Sequence, residues 1–193
     1  MENPAALDHP VHSLIERRWS PRAFADKPVD PAHLESLLEA ARWAPSSFNE
    51  QPWRFIVATR EDPGNFQRLL DCLSPGNQEW AGKAAVLMLS VASLSFARNG
   101  KPNRHALHDV GLASALLALQ ATNMGLAVHF MAGFDGDKAR ESFAIPDGFE
   151  PAAAIAIGYH AAAMEGNDPA PRERRPVASF AYAGAWGGPA SVI

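Results

Sequence analysis

Ala44-Pro45-Ser46-Ser47-Phe48-Asn49-Glu50-Gln51-Pro52-Trp53 joins a helical pattern to an apolar run. Before it, Asp30 followed by Pro31 marks a helix start, the carboxylate capping and the proline taking the first helical position. Leu34, Leu37, Leu38 and Ala41 then fall on one apolar stripe. After it, Trp53-Arg54-Phe55-Ile56-Val57-Ala58 reads as a strand. Pro45 and Pro52 lack an N–H and restrict the residue before them, so no helix runs through the stretch. What remains is a rigid loop rich in donors and acceptors, held between packed elements. Such loops carry binding groups, although Ser46 and Asn49 also suit plain turn caps.

Working outward, Asp8 is expected to cap a short helix with apolar Val11, Leu14 and Ile15 that ends at Arg17-Arg18. The turn Trp19-Ser20-Pro21-Arg22-Ala23-Phe24 follows. Downstream, Asp62-Pro63 opens another capped helix that turns Phe66, Leu69 and Leu70 inward. Cys72 to Gly82 reads as irregular, broken by Pro75, Gly76 and Asn77. Ala84 to Ala92 is almost wholly apolar, which predicts a central strand covered on both faces. The polar stretch Arg98 to Arg104 reads as a lid or a surface loop. From His105 to about Asn123 apolar residues wrap most of a helix, predicting a central or interface helix that Gly125 ends. Leu126 to Met131 and Ala152 to Tyr159 are strands, with a short helix between them running from Gly133-Phe134-Asp135 to Phe143. The pattern predicts one α+β domain over 1–193, with a tail from about 161 to 193. In that tail Phe180, Tyr182, Trp186 and Ile193 need cover, which a second subunit would supply.

The chain has 193 residues, enough for one well-buried core. A net charge of −4 argues against non-specific nucleic-acid binding. The single cysteine, Cys72, excludes an internal disulfide framework. There is no basic-then-apolar leader and no apolar run long enough for a bilayer, so a soluble, cytoplasmic protein with no membrane association is expected. No glycine-rich dinucleotide or P-loop motif is present. His105 and His108 share a helical face but lack a third ligand, so no metal site is expected. Ser46 and Ser47 lack the setting of a serine nucleophile. Two cationic groups remain: Arg17, Arg18 and Arg22 around Ser20, and Arg172, Arg174 and Arg175 in the tail. Arginine forks match phosphate oxygens, and a hydroxyl adds a donor, so together they suggest a phosphorylated cofactor.

These pieces closely resemble the nitroreductase family of flavin mononucleotide (FMN) enzymes. The resemblance rests on Arg17-Arg18-Trp19-Ser20-Pro21-Arg22-Ala23-Phe24 and the stretch Ala44 to Trp53. It extends to Gly76-Asn77-Gln78-Glu79-Trp80, to Gly125 through Asp135, to Ile155-Ala156-Ile157-Gly158-Tyr159, and to Arg172-Glu173-Arg174-Arg175-Pro176. It implies a three-layer α/β/α domain with a mixed, mostly antiparallel central sheet. It further implies a homodimer with FMN at the subunit interface and the C-terminal extension packed on the partner. Counterparts of Arg18, Ser20, Arg172 and Arg174 hold the flavin phosphate in the family, with Arg17 in the same cationic turn and Arg22 near the ring or ribityl. Counterparts of Pro45, Ser46, Ser47 and Asn49 line the cofactor from the other subunit, while Gln51 contacts it or braces the loop. The backbone at Ala132 and Gly133 approaches the reactive edge of the ring.

The implied activity is ping-pong transfer from NADH or NADPH to a small-molecule acceptor: a nitroaromatic, a quinone or an activated alkene. No catalytic acid is assigned. Reductive dehalogenation, flavin breakdown and a flavin-sensing role without turnover remain open as alternatives. Two features depart from the family: Trp19 stands where a smaller or polar residue is usual, and the segment from Ala97 to Arg104 is too short for the helices that shape larger members' pockets.

Overall fold

The computed structural model describes residues 3–161 and 171–188. Its strands are β1 (Trp53–Thr59), β2 (Val86–Ser93), β3 (Ala127–Met131) and β4 (Phe149–Gly158). They form a four-stranded sheet in the order β1-β2-β4-β3. The sheet, expected to be mixed but mostly antiparallel, is antiparallel at every pairing among the described residues. Trp53 pairs with Ala92 across β1 and β2, Val86 with Ile157 across β2 and β4, and Ala127 with Gly158 across β3 and β4. The register shifts between Ser90 and Val91, opposite Pro151. A bulge there accommodates a proline that cannot donate to the ladder.

β2 and β4 lie inside the sheet, and their unbroken apolar sequences follow from that position. Successive side chains point to opposite faces, so a strand covered on both needs no polar side. Val86, Met88, Ile155 and Ile157 face one layer, and Leu87, Leu89, Ala154 and Ala156 face the other. The helices are α1 (Ser13–Arg17), α2 (Pro31–Arg42), α3 (Pro63–Leu70), α4 (Pro75–Ala81), α5 (Ala106–Asn123) and α6 (Gly136–Ser142). α2 and α5 cover the first face through Leu37, Ala41, Val110, Ala113 and Leu117. α3, α4 and α6 cover the second through Phe66, Leu69, Ala81 and Ala139. The result is the three-layer α/β/α arrangement. None of the described helices is long and apolar enough to cross a membrane.

Asp30 caps α2 by accepting from Ala32 N at 2.8 Å, and Gly125, at φ +72°, follows the last turn of α5. Two expectations need correction, and one left open takes a definite shape. α1 is capped by His12, whose Nδ1 accepts from Leu14 N at 3.2 Å, and not by Asp8. The segment expected to be irregular contains α4, because a proline at the first helical position gives up an N–H that has no partner inside the helix. Residues 94–104, left open as lid or loop, form a tight hairpin. Phe96 N donates to Lys101 O at 2.9 Å and Asn103 N to Leu94 O at 2.7 Å, with Gly100 turning the chain at φ +67°. In the tail, Phe180 and Trp186 are exposed, the latter by 92%. Ile193 lies outside the described residues.

Candidate functional site

Two groups of side chains stand out, one cationic and one in the loop after α2. The cationic group forms where the tail returns to the end of α1. Arg18, half-buried just past that helix, points Nη1 at Ser20 Oγ, 3.4 Å away. Arg172 Nη1 donates to Glu16 O, in the last turn of α1, at 2.6 Å and to Asn3 O, ahead of that helix, at 3.0 Å. Burial, then the charges of Arg172 and Arg174, holds the Arg18 guanidinium below its ordinary range. Burial and Arg174 act likewise on Arg172. Among the described residues none of the three arginines pairs with a carboxylate. Cations crowded together without a counterion are the donor set of an anion site. Arg17 is exposed in the last turn of α1, and among the described residues no hydrogen bond or ion pair joins it to this cluster. Arg22 is exposed, its guanidinium 5.8 Å from the centre of the Trp80 ring.

Beneath this turn lies a residue that the sequence did not single out. His129, on β3, has Nδ1 2.8 Å from Pro21 O. A carbonyl only accepts, so Nδ1 carries the proton and donates. The ring lies 4.5 Å from that of Trp80. Burial first, then Arg22 and Arg18, holds His129 below the usual histidine range. A lone histidine in a strand carries no sequence signal for such a role. Trp19, one of the two departures, stacks on His160 with centroids 5.0 Å apart.

The loop is unusual in its backbone. Phe48, Asn49 and Gln51 take φ of 53°, 56° and 53°, in the left-handed region. Each such residue costs on the order of 1–3 kcal/mol and persists only where its surroundings fix it. Those fixings are visible. Asn49 N donates to Ser46 O at 3.0 Å, and Gln51 N to Ser46 Oγ at 3.0 Å. Gln51 Nε2 reaches Asn49 O at 3.2 Å, so its side chain braces the loop. From outside, Asp109 of α5 accepts from Ser47 N at 2.9 Å, and its other oxygen meets His108 Nδ1 at 3.0 Å. Asp109 is 2% exposed. A carboxylate on a helix apolar nearly all round has to be paired when buried, and that was the signal available for it. Glu50 Oε1 accepts from Ala97 N at 2.7 Å, tying the loop to the 94–104 hairpin. Pro45 is exposed at the start of the loop.

Ala132 is exposed and Gly133 half-buried, after β3. Gly133 O accepts from Ser74 N and from Asn77 Nδ2, both at 2.9 Å. A Cβ at Gly133 would come within 2.8 Å of Ser74 Oγ and Asn77 Nδ2, so a larger residue here would have to displace those side chains from their present positions. Among the described residues, no hydrogen bond or ion pair joins Arg18, Ser20, Arg172 or Arg174 to the loop from Pro45 to Gln51.

The model of the Nitroreductase family matches this chain over residues 15–72 and 66–159. The chain belongs to the nitroreductase family. The match takes in the Arg17–Arg22 turn, the Pro45–Gln51 loop and Ala132–Gly133, while Arg172 and Arg174 lie beyond it. This nitroreductase-family chain is 35% identical to a solved structure described as an oxidoreductase containing FMN; the two superpose with a TM-score of 0.88 over 97% of this chain and 98% of the other. It is 36% identical over 149 residues to a 15.4 kDa protein of Mycolicibacterium smegmatis described as uncharacterized, covering 70% of this chain and 99% of that one. A Ralstonia nicotianae protein named "Putative NADH dehydrogenase/NAD(P)H nitroreductase" is 29% identical over 163 residues, 75% of this chain and 80% of its own.

Proposed function

We propose that this nitroreductase-family chain is a cytoplasmic, homodimeric FMN oxidoreductase that takes hydride from NADH or NADPH and reduces nitroaromatics, quinones or activated alkenes in ping-pong fashion. The observation that carries this reading is the uncompensated cluster of Arg18, Arg172 and Arg174 beside Ser20. A terminal phosphomonoester with about two negative charges answers that cluster in charge and in its need for several donors. The names of the FMN-containing structure and the Ralstonia relative support the same chemistry. Bound FMN supplies a ring that accepts hydride from a nicotinamide and returns an electron pair to a second substrate.

The chain's own part is to bind and orient. Arg18, Ser20, Arg172 and Arg174 hold the phosphate, Arg17 adds to the positive field around it, and Arg22 lies toward the ribityl and ring. Ser46, Ser47 and Asn49 offer polar contacts to the ring system from a loop whose shape Gln51, Asp109 and Pro45 keep fixed. Orientation of this kind accounts for much of the rate in two-substrate reactions. Ala132 and Gly133 offer backbone groups to the reactive edge. In this reading the arginine cluster and the loop belong to one site completed by two subunits.

Removing a charged donor to phosphate costs about 1.5–3 kcal/mol, or roughly 10- to 150-fold in affinity. Arg18→Gln and Arg174→Gln should each weaken FMN binding to that extent in a fluorescence titration. Saturating FMN should then restore much of the activity. Unaltered FMN affinity in both variants would overturn the phosphate assignment.

A further inference from the structure

The hairpin 94–104 leans on the loop that the proposed function gives to the cofactor. Arg98 places its guanidinium carbon 4.1 Å from the centre of the Phe48 ring and 5.4 Å from that of Phe96. The two phenyl rings meet edge to face at 5.8 Å. Phe48 is 73% exposed, although its backbone is held in the left-handed region. A ring that stays largely exposed at a strained backbone position, beyond its contacts with Arg98 and Phe96, has free surface to offer a ligand. Its chain neighbours are Ser47 and Asn49, so this shelf lies one residue from the proposed flavin contacts.

The hairpin's own charge has one sign. From residue 94 to residue 108 the chain carries Arg98, Lys101 and Arg104 and no carboxylate, in a protein of net charge −4. The acid facing the hairpin is Glu50, which already accepts from Ala97 N. His105 and His108 stand near its base, with Asp109 buried behind them. Arg98 itself is exposed and forms no ion pair among the described residues.

We propose that Arg98, standing on Phe48 and Phe96, determines acceptor specificity and selects planar aromatic acceptors that carry a carboxylate. The inference rests on the reading of the chain as an FMN oxidoreductase. The guanidinium fork takes the carboxylate, and the ring of the acceptor lies against exposed Phe48.

The test compares benzoate with benzamide, an anion and a neutral molecule of the same shape, by calorimetry on the FMN-loaded full chain. The wild-type chain should bind benzoate at least tenfold more tightly. Arg98→Gln and Arg98→Glu should abolish that ratio, and Arg98→Lys should keep part of it. The ratio of kcat/KM for 4-nitrobenzoate over 4-nitrobenzamide should fall in parallel. Equal affinities in the wild-type chain, or a ratio untouched by Arg98→Glu, would overturn the proposal. So would an effect confined to the KM for NADPH, which would assign Arg98 to the donor's phosphate. Retention of FMN is read separately from the visible spectrum. Its loss in the wild-type chain would defeat the oxidoreductase reading itself, whereas FMN retained with no anion preference would defeat only this inference.

Discussion

Arg18 and His129 show how much a single side chain depends on its neighbours for meaning. Arg18 was legible because arginines bracket a hydroxyl in the sequence, and the fold then brings Arg172 and Arg174 to it from the tail. His129 was not legible, because its role arises only when β3 passes beneath the Ser20–Arg22 turn. His129→Leu leaves the Pro21 carbonyl without its donor and should cost about 1–3 kcal/mol in denaturant unfolding. His129→Asn, whose amide nitrogen stands near the position of Nδ1, should recover much of that loss. pH supplies a second readout. His129 and His160 both lie below the ordinary histidine range in the folded chain, burial being the first cause for each. The unfolded chain therefore binds more protons, and the stability these groups contribute is intact above about pH 6.5 and falls as the pH drops through their folded values. Tm should decline from pH 7 to pH 5, less steeply in His129→Asn. A steeper decline in that variant would contradict the assignment.

At the scale of elements, the loop after α2 is held from a distance. α5 contributes Asp109, whose oxygen takes the Ser47 N–H at 2.9 Å. Asp109→Ala would leave that N–H without its partner and remove the hold of α5 on a loop with three left-handed residues. Destabilisation of about 1–3 kcal/mol should follow, with loss of amide-exchange protection at Ser47 ahead of the sheet. Exchange at Ser47 that stays as slow as in the wild-type chain would show the loop to be anchored otherwise. The periodicity of α2, β2 and α5 was plain in the sequence because burial dictates it. α4 was hidden because Pro75, Gly76 and Asn77 read as breakers, although a proline also suits the first helical position, and only packing decides between the two. Of the left-handed loop residues only Asn49 is of a type that favours that region, and Phe48 and Gln51 carry no marker.

For the whole molecule, two layers of helix on an antiparallel sheet follow from apolar strands, but the assembly does not. Phe180 and Trp186 in the tail are exposed by 64% and 92%, and the proposed second subunit would cover them. In solution the chain should sediment as a dimer. Ending it before residue 171 should shift it toward monomer and abolish FMN retention together, because Arg172 and Arg174 are lost with the aromatic tail. A truncated chain that still dimerises and holds FMN would contradict a shared site.

The most direct test is the visible spectrum of the purified full chain supplied with FMN under anaerobic conditions, before and after NADH or NADPH is added. The account predicts a bound yellow chromophore that bleaches within seconds and regains its colour when a quinone or nitroaromatic is admitted. A chain that retains no FMN, or retains it unbleached by either nucleotide, would contradict it.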